Sequence, residues 1–470
     1  MITSLLNTPL NSIVLDLGTT SIKAAACVNN DQIDTVFSQP APEISINKGQ
    51  FISDAMAYLA VVDQLLEKCQ RYTQASPLLG ICFQRSSLVI WNSHTGLPVT
   101  PLISWQDNRG KASCEELHQH NATIRHIAGI PLTPYYFAPK IRVLMQQQPN
   151  LLKGILNKDL LMGTLDSFLI WHWTAGKYYI TDASMAARTL LMDIETGQWS
   201  ELLTNLFNIP RQVLAKVYSS NNLDLVLSNG AILQASVADQ SAAMLSSIAN
   251  DGSEVLVNLG TGGFVVRYQP EHSSYDVSDY LHTLIYQDSQ KTKHIAIEGT
   301  LNSITAALMP YPYRDIKTES LAKINDIYCI AEPTGIGAPY FRADLGLTFS
   351  KKTNHLSKQQ IASLLLEGII FRVALILEHF NQQSEIQRVY LSGGLSALSC
   401  LQQGITLCSP VPVYRISQKH SGLQGVLILT NNLKLANDRQ VELISANESS
   451  ETLLKKYQRW KDWFNHIVSR

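Results

Sequence analysis

The chain opens with two apolar runs separated by a polar turn. Residues 11–27 read NSIVLDLGTTSIKAAAC, in which strand-like segments lie on either side of Asp-Leu-Gly-Thr-Thr. Asp and Gly are common in turns and Thr is common in strands. Taken alone, the stretch therefore fits a β-hairpin with an ordinary polar turn, followed by a lone Lys23.

The same pattern occurs again about half a chain later. Residues 255–268 read VLVNLGTGGFVVRY, and their apolar positions match those of the first stretch. Gly260 falls on Gly18, and Asn258 falls on Asp16. Repetition at half the chain length, with similar polar residues in the turn, predicts one such hairpin at the start of each half.

Both turns have a composition suited to phosphate. No helix is predicted directly after either glycine, so no helix N-terminus can hold an anion as it does in a Walker loop. The backbone N–H groups of a tight turn, with the hydroxyls of Thr19 and Thr261 beside them, instead form a concave set of donors for phosphate oxygens. An Asp at the head of the turn can hold Mg²⁺, usually through its waters. Two such turns facing each other across a cleft would hold a polyphosphate from both sides.

Short strands followed by helical stretches surround the two hairpins, which is typical of mixed-sheet α/β lobes. Ser357 and Gln360 form a capping box that opens a long apolar helix, and Gly368 within it predicts a close approach of another segment. Residues 389–398, VYLSGGLSAL, predict a strand that ends in Gly-Gly and is followed by a helix. The last helical pattern places one apolar stripe on one face, as core packing does: Leu453, Tyr457, Trp460, Phe464 and Ile467.

Length and composition narrow the class of protein. A chain of 470 residues predicts two or more domains. A net charge of −1 leaves no excess of Lys and Arg for a nucleic-acid partner. Seven scattered cysteines without a CxxC pair predict buried thiols in a reducing compartment. The N-terminus lacks the basic segment of a signal peptide, and Glu367 and Arg372 interrupt the longest apolar tract. We therefore expect a cytoplasmic protein without a membrane partner.

Six stretches, in this order and spacing, carry a family likeness. They are QRSSLVIWNSHTGLPVTPLISWQDNR (84–109), the segment 163–199 beginning GTLDSFLIWHW, ADQSAAM (238–244), NLGTGGF (258–264), TGIGAPYF (334–341) and LSGGLSAL (391–398). On these motifs nearly the whole chain resembles the FGGY carbohydrate kinases of the actin-like ATPase superfamily, and among them the glycerol kinases. The resemblance implies an α/β fold of two actin-like (ribonuclease H-like) lobes. Each lobe would be a mixed sheet flanked by helices, with the active site in the cleft between them.

The resemblance also implies roles for residues around a bound ATP or ADP. Asp16 would serve a magnesium ion. Five residues would lie around the phosphates: Thr19, Thr20, Ser21, Lys23 and Thr261. Gly393 and Gly394 would line the adenine side.

The acceptor side follows from the same resemblance. Asp239 falls on the catalytic base of the family, and Gln240 beside it falls on a substrate contact. Four further residues match positions that surround the acceptor alcohol: Arg85, Trp105, Tyr135 and Phe264. The residue types suit this chemistry, because a carboxylate can accept a hydroxyl proton and Arg and Gln can donate to polyol oxygens.

Several residues near these motifs also have a structural interpretation. Asp239 could be a helix N-cap. Asp107 and Arg109 are interpreted as a structural ion pair, and TDASMA (181–186) as the cap and first turn of a helix near the site. Three histidines are expected to be solvent-exposed: His94, His118 and His120. No cluster of histidines in the sequence indicates a transition-metal site.

The chain departs from the family pattern at a few positions. Ser86 stands where glycerol kinases carry Glu, which predicts that the acceptor is larger than glycerol. Ala238 replaces the Gly that usually precedes the catalytic Asp, and PYFRAD (339–344) departs from the common PYWDP. The chain is also somewhat short for the family.

Together these observations predict an ATP- and Mg²⁺-dependent kinase that phosphorylates a hydroxyl of a small polyol or sugar. The expected lobes are 1–245, with the first phosphate turn and the acceptor pocket, and 246–470, with the second turn and the adenosine site. The alternative is a non-catalytic actin-like ATP-binding switch or a metabolite sensor. Asp239 with a polyol-type pocket favours the kinase, since a switch protein needs neither. The predicted partner is a small molecule, and a homo-oligomer is left open.

Overall fold

The computed structural model describes residues 12–27, 32–33, 35–73, 76–269, 279–417, 420–433, 440–445 and 451–470. The chain folds into two compact units. The first consists of Met1–Ser246, His282–Ile295 and His420–Leu435, and the second of Ser247–Leu281, Ala296–Lys419 and Ala436–Arg470. Each unit combines sheets with helices, as the α/β prediction requires. The prediction of two lobes divided at residue 245 stays a prediction.

The first unit is built around a six-stranded mixed sheet. Its strands, in spatial order, are Leu225–Val226, Ile232–Ala238, Leu78–Phe83, Ser12–Leu17, Ser21–Cys27 and Thr35–Pro40. Three neighbouring strands of this sheet are mutually parallel: Ile232–Ala238, Leu78–Phe83 and Ser12–Leu17. The carboxyl ends of parallel strands meet at one edge of a sheet. The segments that follow Leu17, Phe83 and Ala238 are therefore neighbours, and they contain most of the predicted site.

The first unit also contains a five-stranded antiparallel sheet and two short strand pairs. The five-stranded sheet runs in the order Ser45–Asn47, Gln50–Ser53, Leu102–Ile103, Leu88–Asn92 and Leu160–Thr164. The short pairs are Ile180–Asp182 with Lys216–Tyr218 and Met192–Asp193 with Gln198–Trp199. The helices of the unit are Ala55–Gln70, Lys111–Glu116, Asn121–Ala128, Phe137–Gln147, Pro149–Leu156, Leu165–Trp173, Ala183–Ala186, Glu201–Leu206, Asp239–Leu245 and Ser421–Thr430.

The predicted hairpins are confirmed in both units. Ser12–Leu17 pairs antiparallel with Ser21–Cys27, and Glu254–Leu259 pairs antiparallel with Gly263–Tyr268. In the second unit the hairpin belongs to a mixed sheet whose successive strands are Lys293–Leu301, Gly263–Tyr268, Glu254–Leu259, Arg388–Ser392, Val413–Ile416 and Val441–Leu443. In this unit Cys329–Ile330 also pairs with Thr348–Phe349, whereas the strand Leu281–Gln287 belongs to the first unit from His282 onward. The helices of the second unit are Ile304–Leu308, Lys358–Gln383, Ser399–Cys408 and Glu451–Val468.

The long helix Lys358–Gln383 forms the centre of the second unit's core. Its N-terminus carries the predicted capping box, in which the Ser357 hydroxyl accepts from the Gln360 N–H and the Gln360 side chain accepts from the Ser357 N–H. A Cβ at Gly368 would lie 2.9 Å from the Cys329 carbonyl oxygen, so the predicted close approach is confirmed. The helix is long and apolar enough to cross a membrane, but 89% of its most apolar stretch is buried inside the protein.

The C-terminal helix Glu451–Val468 covers that long helix, as its apolar stripe predicts. Leu453, Tyr457, Trp460 and Phe464 are buried, and Ile467 packs against the same core while partly exposed. The Trp460 indole N–H donates to the Cys329 carbonyl oxygen at 2.9 Å. Six of the seven cysteines are buried as expected, whereas Cys114 is half-buried.

Candidate active site

The first Gly-Thr turn follows the strand Ser12–Leu17 directly. The Gly18 N–H donates to the Ser21 carbonyl oxygen at 3.1 Å, which closes the turn, and the Tyr58 hydroxyl donates to the Gly18 carbonyl oxygen at 2.6 Å. The chain then continues as the strand Ser21–Cys27, so no helix follows the glycine. Thr20 is exposed at the tip of the turn, while Ser21 begins the second strand. The turn therefore presents backbone and hydroxyl groups without a helix N-terminus, as predicted.

Asp16 lies at the head of this turn and is half-buried. Its Oδ1 accepts a hydrogen bond from the Cys82 thiol, with an S···O distance of 3.4 Å, and Lys23 stands directly opposite on the paired strand. Burial raises the pKa of Asp16, while Cys82, Lys23 and His420 act in the opposite direction. A Cβ at Gly422 would lie 2.7 Å from Asp16 Oδ2, so only glycine allows this close approach. Neither Cys82 nor Gly422 was expected near Asp16 from the sequence.

A cavity of about 230 Å³ lies beside the turn. Seven of its lining residues were predicted for the site. One was assigned to the phosphates and six to the acceptor: Thr19 for the phosphates, and Arg85, Ser86, Trp105, Tyr135, Asp239 and Gln240 for the acceptor. Tyr136 and Arg188 line the cavity as well and were missed. Arg188 lies within a quoted family-like segment, whereas nothing in the sequence pattern marks Tyr136.

Asp239 is the only acidic residue among those that line the cavity. Its Oδ1 lies 3.8 Å from Arg85 Nε, and an Arg85 N–H donates to the Gln240 side-chain oxygen. Burial raises the pKa of Asp239, and the guanidinium groups of Arg85 and Arg188 oppose that shift. The helix Asp239–Leu245 has Ala238 as its N-cap residue, so the interpretation of Asp239 as the N-cap is wrong. With its side chain 31% exposed, the carboxylate is accessible from the cavity.

A chain of hydrogen bonds joins the turn to the cavity wall. The Trp105 indole N–H donates to Thr19 Oγ1 at 3.0 Å, and Thr19 Oγ1 donates to Gln84 Oε1 at 3.2 Å. Gln84 Nε2 donates in turn to the Tyr58 hydroxyl at 2.7 Å, and Tyr58 holds the Gly18 carbonyl. This network fixes Trp105 relative to the turn. Gln84 and Tyr58 carry no sequence signal for that role, because they meet the turn only in three dimensions.

Ser86 and Lys140 form the layer behind the cavity. Ser86 is buried with a left-handed backbone (φ 63°), and its hydroxyl donates to the Arg188 carbonyl oxygen at 3.1 Å. The fully buried Lys140 amino group donates to the carbonyl oxygens of Ser86 at 2.7 Å and Ser104 at 2.9 Å. Lys140 therefore ties together the two segments that present Arg85 and Trp105.

The structural interpretations of neighbouring motifs are mostly confirmed. Asp107 is fully buried and pairs with Arg109 at 2.8 Å, and this pairing holds the pKa of Asp107 below its ordinary value against the effect of burial. Asp182 caps the helix Ala183–Ala186 by accepting from the N–H groups of Ser184 and Met185. His94 and His118 are exposed as predicted. His120, the N-cap residue of the helix Asn121–Ala128, is half-buried, so the prediction of exposure is wrong for it.

The predicted site residues of the second unit lie on its own hairpin and strand end. Thr261 is exposed in the turn, and Phe264 is half-buried on the strand Gly263–Tyr268. Gly393 has a left-handed φ of 87°, and a Cβ there would lie 2.5 Å from the Leu259 carbonyl oxygen. At Gly394 an added Cβ would meet nothing within 4 Å. Gly393 is thus required by packing, and the ligand roles of all four residues stay predictions.

Lys140→Met is expected to lower kcat/KM for the acceptor by about 10- to 100-fold. The substitution leaves two buried carbonyl oxygens without their donor, which costs about 1–3 kcal/mol each and loosens the segments that carry Arg85 and Trp105. Steady-state kinetics check this, with the exposed Lys153→Met as the matched control. If Lys140→Met raised KM for the acceptor and KM for the nucleotide by the same factor, Lys140 would not be specifically positioning the acceptor side.

The stability of the protein should also depend on pH through Lys140. Burial lowers the pKa of Lys140 to about 7, with Asp107 opposing this shift and Arg109 adding to it. An unfolded Lys stays protonated to about pH 10.4, so the folded state binds fewer protons between these values. Stability is therefore gained as pH rises above 7 and lost as pH falls towards 7. The melting temperature of the parent relative to Lys140→Met should increase from pH 7 to pH 9. The absence of an increase would show that the folded protein keeps the ammonium form.

Comparisons with known proteins show the family of the chain. Residues 12–238 match the N-terminal domain of the FGGY family of carbohydrate kinases, and residues 255–432 match its C-terminal domain. The glycerol kinase of Mycoplasma genitalium is 30% identical over 387 residues, covering 76% of both chains. That of Mycoplasmoides gallisepticum is 28% identical over 445 residues, covering 89% of this chain and 87% of the relative. The crystal structure of Plasmodium falciparum glycerol kinase with ADP superposes with a TM-score of 0.81 at 21% identity, covering 98% of both chains.

The fold and the matches together define a two-domain phosphotransferase of the mixed α/β type. The chain belongs to the FGGY family of carbohydrate kinases. It is a glycerol-kinase-like, ATP-dependent kinase with an alcohol group of a polyol or sugar as acceptor. The alternative of a non-catalytic switch or sensor gains no support from these matches.

Proposed function

We propose that the cavity of the first unit binds the acceptor and that Asp239 is the general base of the transfer. The observation that carries this proposal is that Asp239, Arg85 and Thr19 line one cavity. Thr19 belongs to the Gly-Thr turn, so a group held by that turn and a hydroxyl held near Asp239 are neighbours. Phosphoryl transfer needs little beyond such positioning, charge neutralisation and a proton acceptor.

The step is an in-line displacement. The acceptor hydroxyl oxygen forms a bond to the γ-phosphorus of ATP, and the bond from that phosphorus to the β–γ bridging oxygen breaks, so that ADP leaves with the electron pair. The Asp239 carboxylate takes the hydroxyl proton as the new bond forms. Arg85 holds Asp239 in place and donates to the acceptor, while Trp105 and Tyr135 give the acceptor an aromatic wall.

The residues at the first turn fit a magnesium ion. Mg²⁺ keeps several waters and uses one or two carboxylates together with the substrate phosphates. Asp16 supplies one carboxylate at the head of the turn, and among the described residues no group of three or more His, Cys, Asp or Glu forms a closed metal cage. Asp16 would therefore hold the ion, which would neutralise phosphate charge. Thr19, Thr20, Ser21 and Lys23 surround the same phosphates in this proposal.

The acceptor is proposed to be larger than glycerol, on account of Ser86. The hydroxyl of Ser86 donates to a backbone carbonyl, so it offers the acceptor only oxygen lone pairs. Ser86→Glu adds a longer, negatively charged side chain that can accept hydrogen bonds from the hydroxyls of glycerol. It should raise kcat/KM for glycerol relative to larger polyols by about 10- to 100-fold. Steady-state kinetics on glycerol, erythritol and xylitol check this, with Ser93→Glu at a half-exposed position as the matched control. The highest kcat/KM for glycerol in the parent protein would contradict the size argument.

An ADP-release assay with a panel of polyols and sugars tests the proposed function itself. ADP release should depend on an acceptor and on Mg²⁺, and phosphorus NMR should show one phosphoryl group on the acceptor for each ADP. ATP hydrolysis at the same rate with and without every acceptor would contradict the assignment of the cavity. Calorimetric titration of Mg·ATP into the same preparation provides the control that the nucleotide site is intact.

A further inference from the structure

Two buried aspartates of the first unit take no part in the proposed transfer. Asp166 and Asp182 are 0% and 2% exposed, and neither forms an ion pair with a residue that the structure describes. A buried carboxylate without a cation is costly unless hydrogen-bond donors surround it. The sequence pattern explains Asp182 only as the cap of a short helix, which leaves the purpose of this buried pair open.

Hydrogen-bond donors surround the Asp182 carboxylate. Its Oδ2 accepts from the N–H groups of Ser184 at 2.9 Å and Met185 at 3.1 Å, and from the Ser184 hydroxyl. Its Oδ1 accepts from the Ser220 hydroxyl. Burial raises the pKa of Asp182 to about 7, while the two hydroxyls oppose this shift and Asp166 adds to it. The hydroxyls therefore stabilise the carboxylate form of Asp182.

Asp166 holds the backbone of Asp182 from behind. Its Oδ2 accepts from the Asp182 N–H at 2.9 Å and from the Thr181 hydroxyl at 2.8 Å. Its Oδ1 accepts from the Thr164 hydroxyl. The position of Asp182 is thus fixed through its main chain as well as through its side chain.

Ser184 also contacts the strand that leads to the proposed base. The strand Ile232–Ala238 ends directly before Asp239. Its neighbour Leu225–Val226 pairs with only the first two residues of that strand. At the other end of the strand, the N–H of the fully buried Ala238 donates to Ser184 Oγ at 2.8 Å. A side chain therefore provides the hydrogen-bond acceptor at the residue that precedes Asp239.

The direction of these hydrogen bonds follows from the groups at the two ends. A backbone N–H can only donate and a carboxylate can only accept. Ser184 Oγ therefore accepts from the Ala238 N–H and donates its single proton to Asp182 Oδ2. One hydroxyl joins the carboxylate to the main chain at the start of the helix Asp239–Leu245. Without it, both the Ala238 N–H and the Asp182 carboxylate would lose a partner.

We propose that Ser184, held in place by Asp182, is a positioning residue for Asp239. This inference rests on the proposed function, because it takes Asp239 as the general base. Ser184 does not line the cavity, so it acts by fixing the backbone from which the Asp239 side chain extends. A general base must lie about 2.6–3.2 Å from the atom whose proton it takes. A misplacement of about 1 Å can lower the rate roughly a hundredfold.

Substitutions of two serines test the proposal on the full-length protein. Ser184→Ala should lower kcat by about 10- to 100-fold, while its affinity for Mg·ATP should hardly change. Ser184→Thr keeps the hydroxyl and should retain most of kcat. Ser220→Ala is the matched control, because Ser220 is equally buried and donates to the same carboxylate but is not bonded to Ala238. This control should keep the kcat of the parent.

A double substitution separates positioning of the base from a general loss of stability. In the Asp239→Asn background, Ser184→Ala should lower kcat far less than it does in the parent, because the base through which it acts is already absent. A purely structural role would give the same factor in both backgrounds. Melting temperatures verify that each variant is folded. If Ser184→Ala does not fold, Ser184→Cys replaces it, since a thiol keeps the shape of the side chain and weakens both hydrogen bonds.

Three results would overturn the inference. Removing the Ser184 hydroxyl could leave kcat unchanged, Ser220→Ala could lower kcat as much as Ser184→Ala does, or Ser184→Ala could lower kcat by one factor in both backgrounds. In each case a large loss of kcat in Asp239→Asn alone would still support the proposed function. If Asp239→Asn instead keeps its turnover, the assignment of the base fails and the inference fails with it.

Discussion

Replacing Asp239 by Asn is expected to lower kcat by about a hundred- to ten-thousandfold, the usual contribution of a positioned general base. Asn keeps the shape of the side chain but cannot accept the hydroxyl proton. The helix Asp239–Leu245 should be unaffected, because its N-cap residue is Ala238 and not Asp239. Affinity for Mg·ATP should hardly change, since the carboxylate faces the acceptor cavity.

Two measurements distinguish this role from a structural one. Burial raises the pKa of Asp239, so kcat/KM should fall as acid protonates this group, and Asp239→Asn should lose that acidic limb. The exposed Asp159→Asn is the matched control and should retain both the rate and the pH profile. An Asp239→Asn variant that keeps most of its turnover on the best acceptor would rule out the base.

Asp16→Ala is expected to lower kcat by roughly a hundred- to a thousandfold. A metal ion contributes several kcal/mol of charge stabilisation to the transition state, and each 1.36 kcal/mol is a factor of ten in rate. The variant also removes the acceptor of the Cys82 thiol, so the melting temperature has to be measured alongside. Steady-state kinetics over a Mg²⁺ titration give both the rate and the metal requirement.

Nucleotide binding separates the metal role of Asp16 from a packing role. ATP affinity should increase with Mg²⁺ in the parent protein, and Asp16→Ala should lose most of that increase. Asp63→Ala removes a partly buried carboxylate that accepts from the Trp173 indole and does not contact the turn, and it serves as the control. If Asp16→Ala binds Mg·ATP as well as the parent, the first turn has been assigned wrongly.

Local patterns in the sequence predicted the elements that carry the site. The hairpins, the capping box at Ser357 and the apolar stripe of the C-terminal helix depend on neighbours within a few residues, so periodicity and turn chemistry are sufficient. The resemblance then brought together Arg85, Trp105 and Asp239, which the structure places around one cavity. Their chemical roles stay predictions.

Contacts of the site between residues far apart in the chain could not be predicted from the sequence. Gly422 touches Asp16 from more than 400 positions away, and Tyr58 reaches Gln84 and Gly18 from a separate helix. Lys140 appears in an ordinary amphipathic helix pattern, and only the fold shows that its amino group donates to two carbonyl oxygens behind the cavity. Such pairings depend on tertiary packing, which leaves no periodic signal in one chain.

The order of synthesis has a consequence for the first unit, because the helix Ser421–Thr430 belongs to it. A Cβ at Gly425 would lie 1.7 Å from the Ala242 carbonyl oxygen, so this helix packs directly on the helix that begins with Asp239. A ribosome adding 5–20 residues per second needs roughly 10–40 s to travel from residue 246 to this helix. During that interval the nascent chain exposes an apolar face beside the future site. This apolar face is therefore a defined surface for a ribosome-associated chaperone. A polypeptide that ends between the two halves would lack the helix Ser421–Thr430, and its first unit would be incomplete.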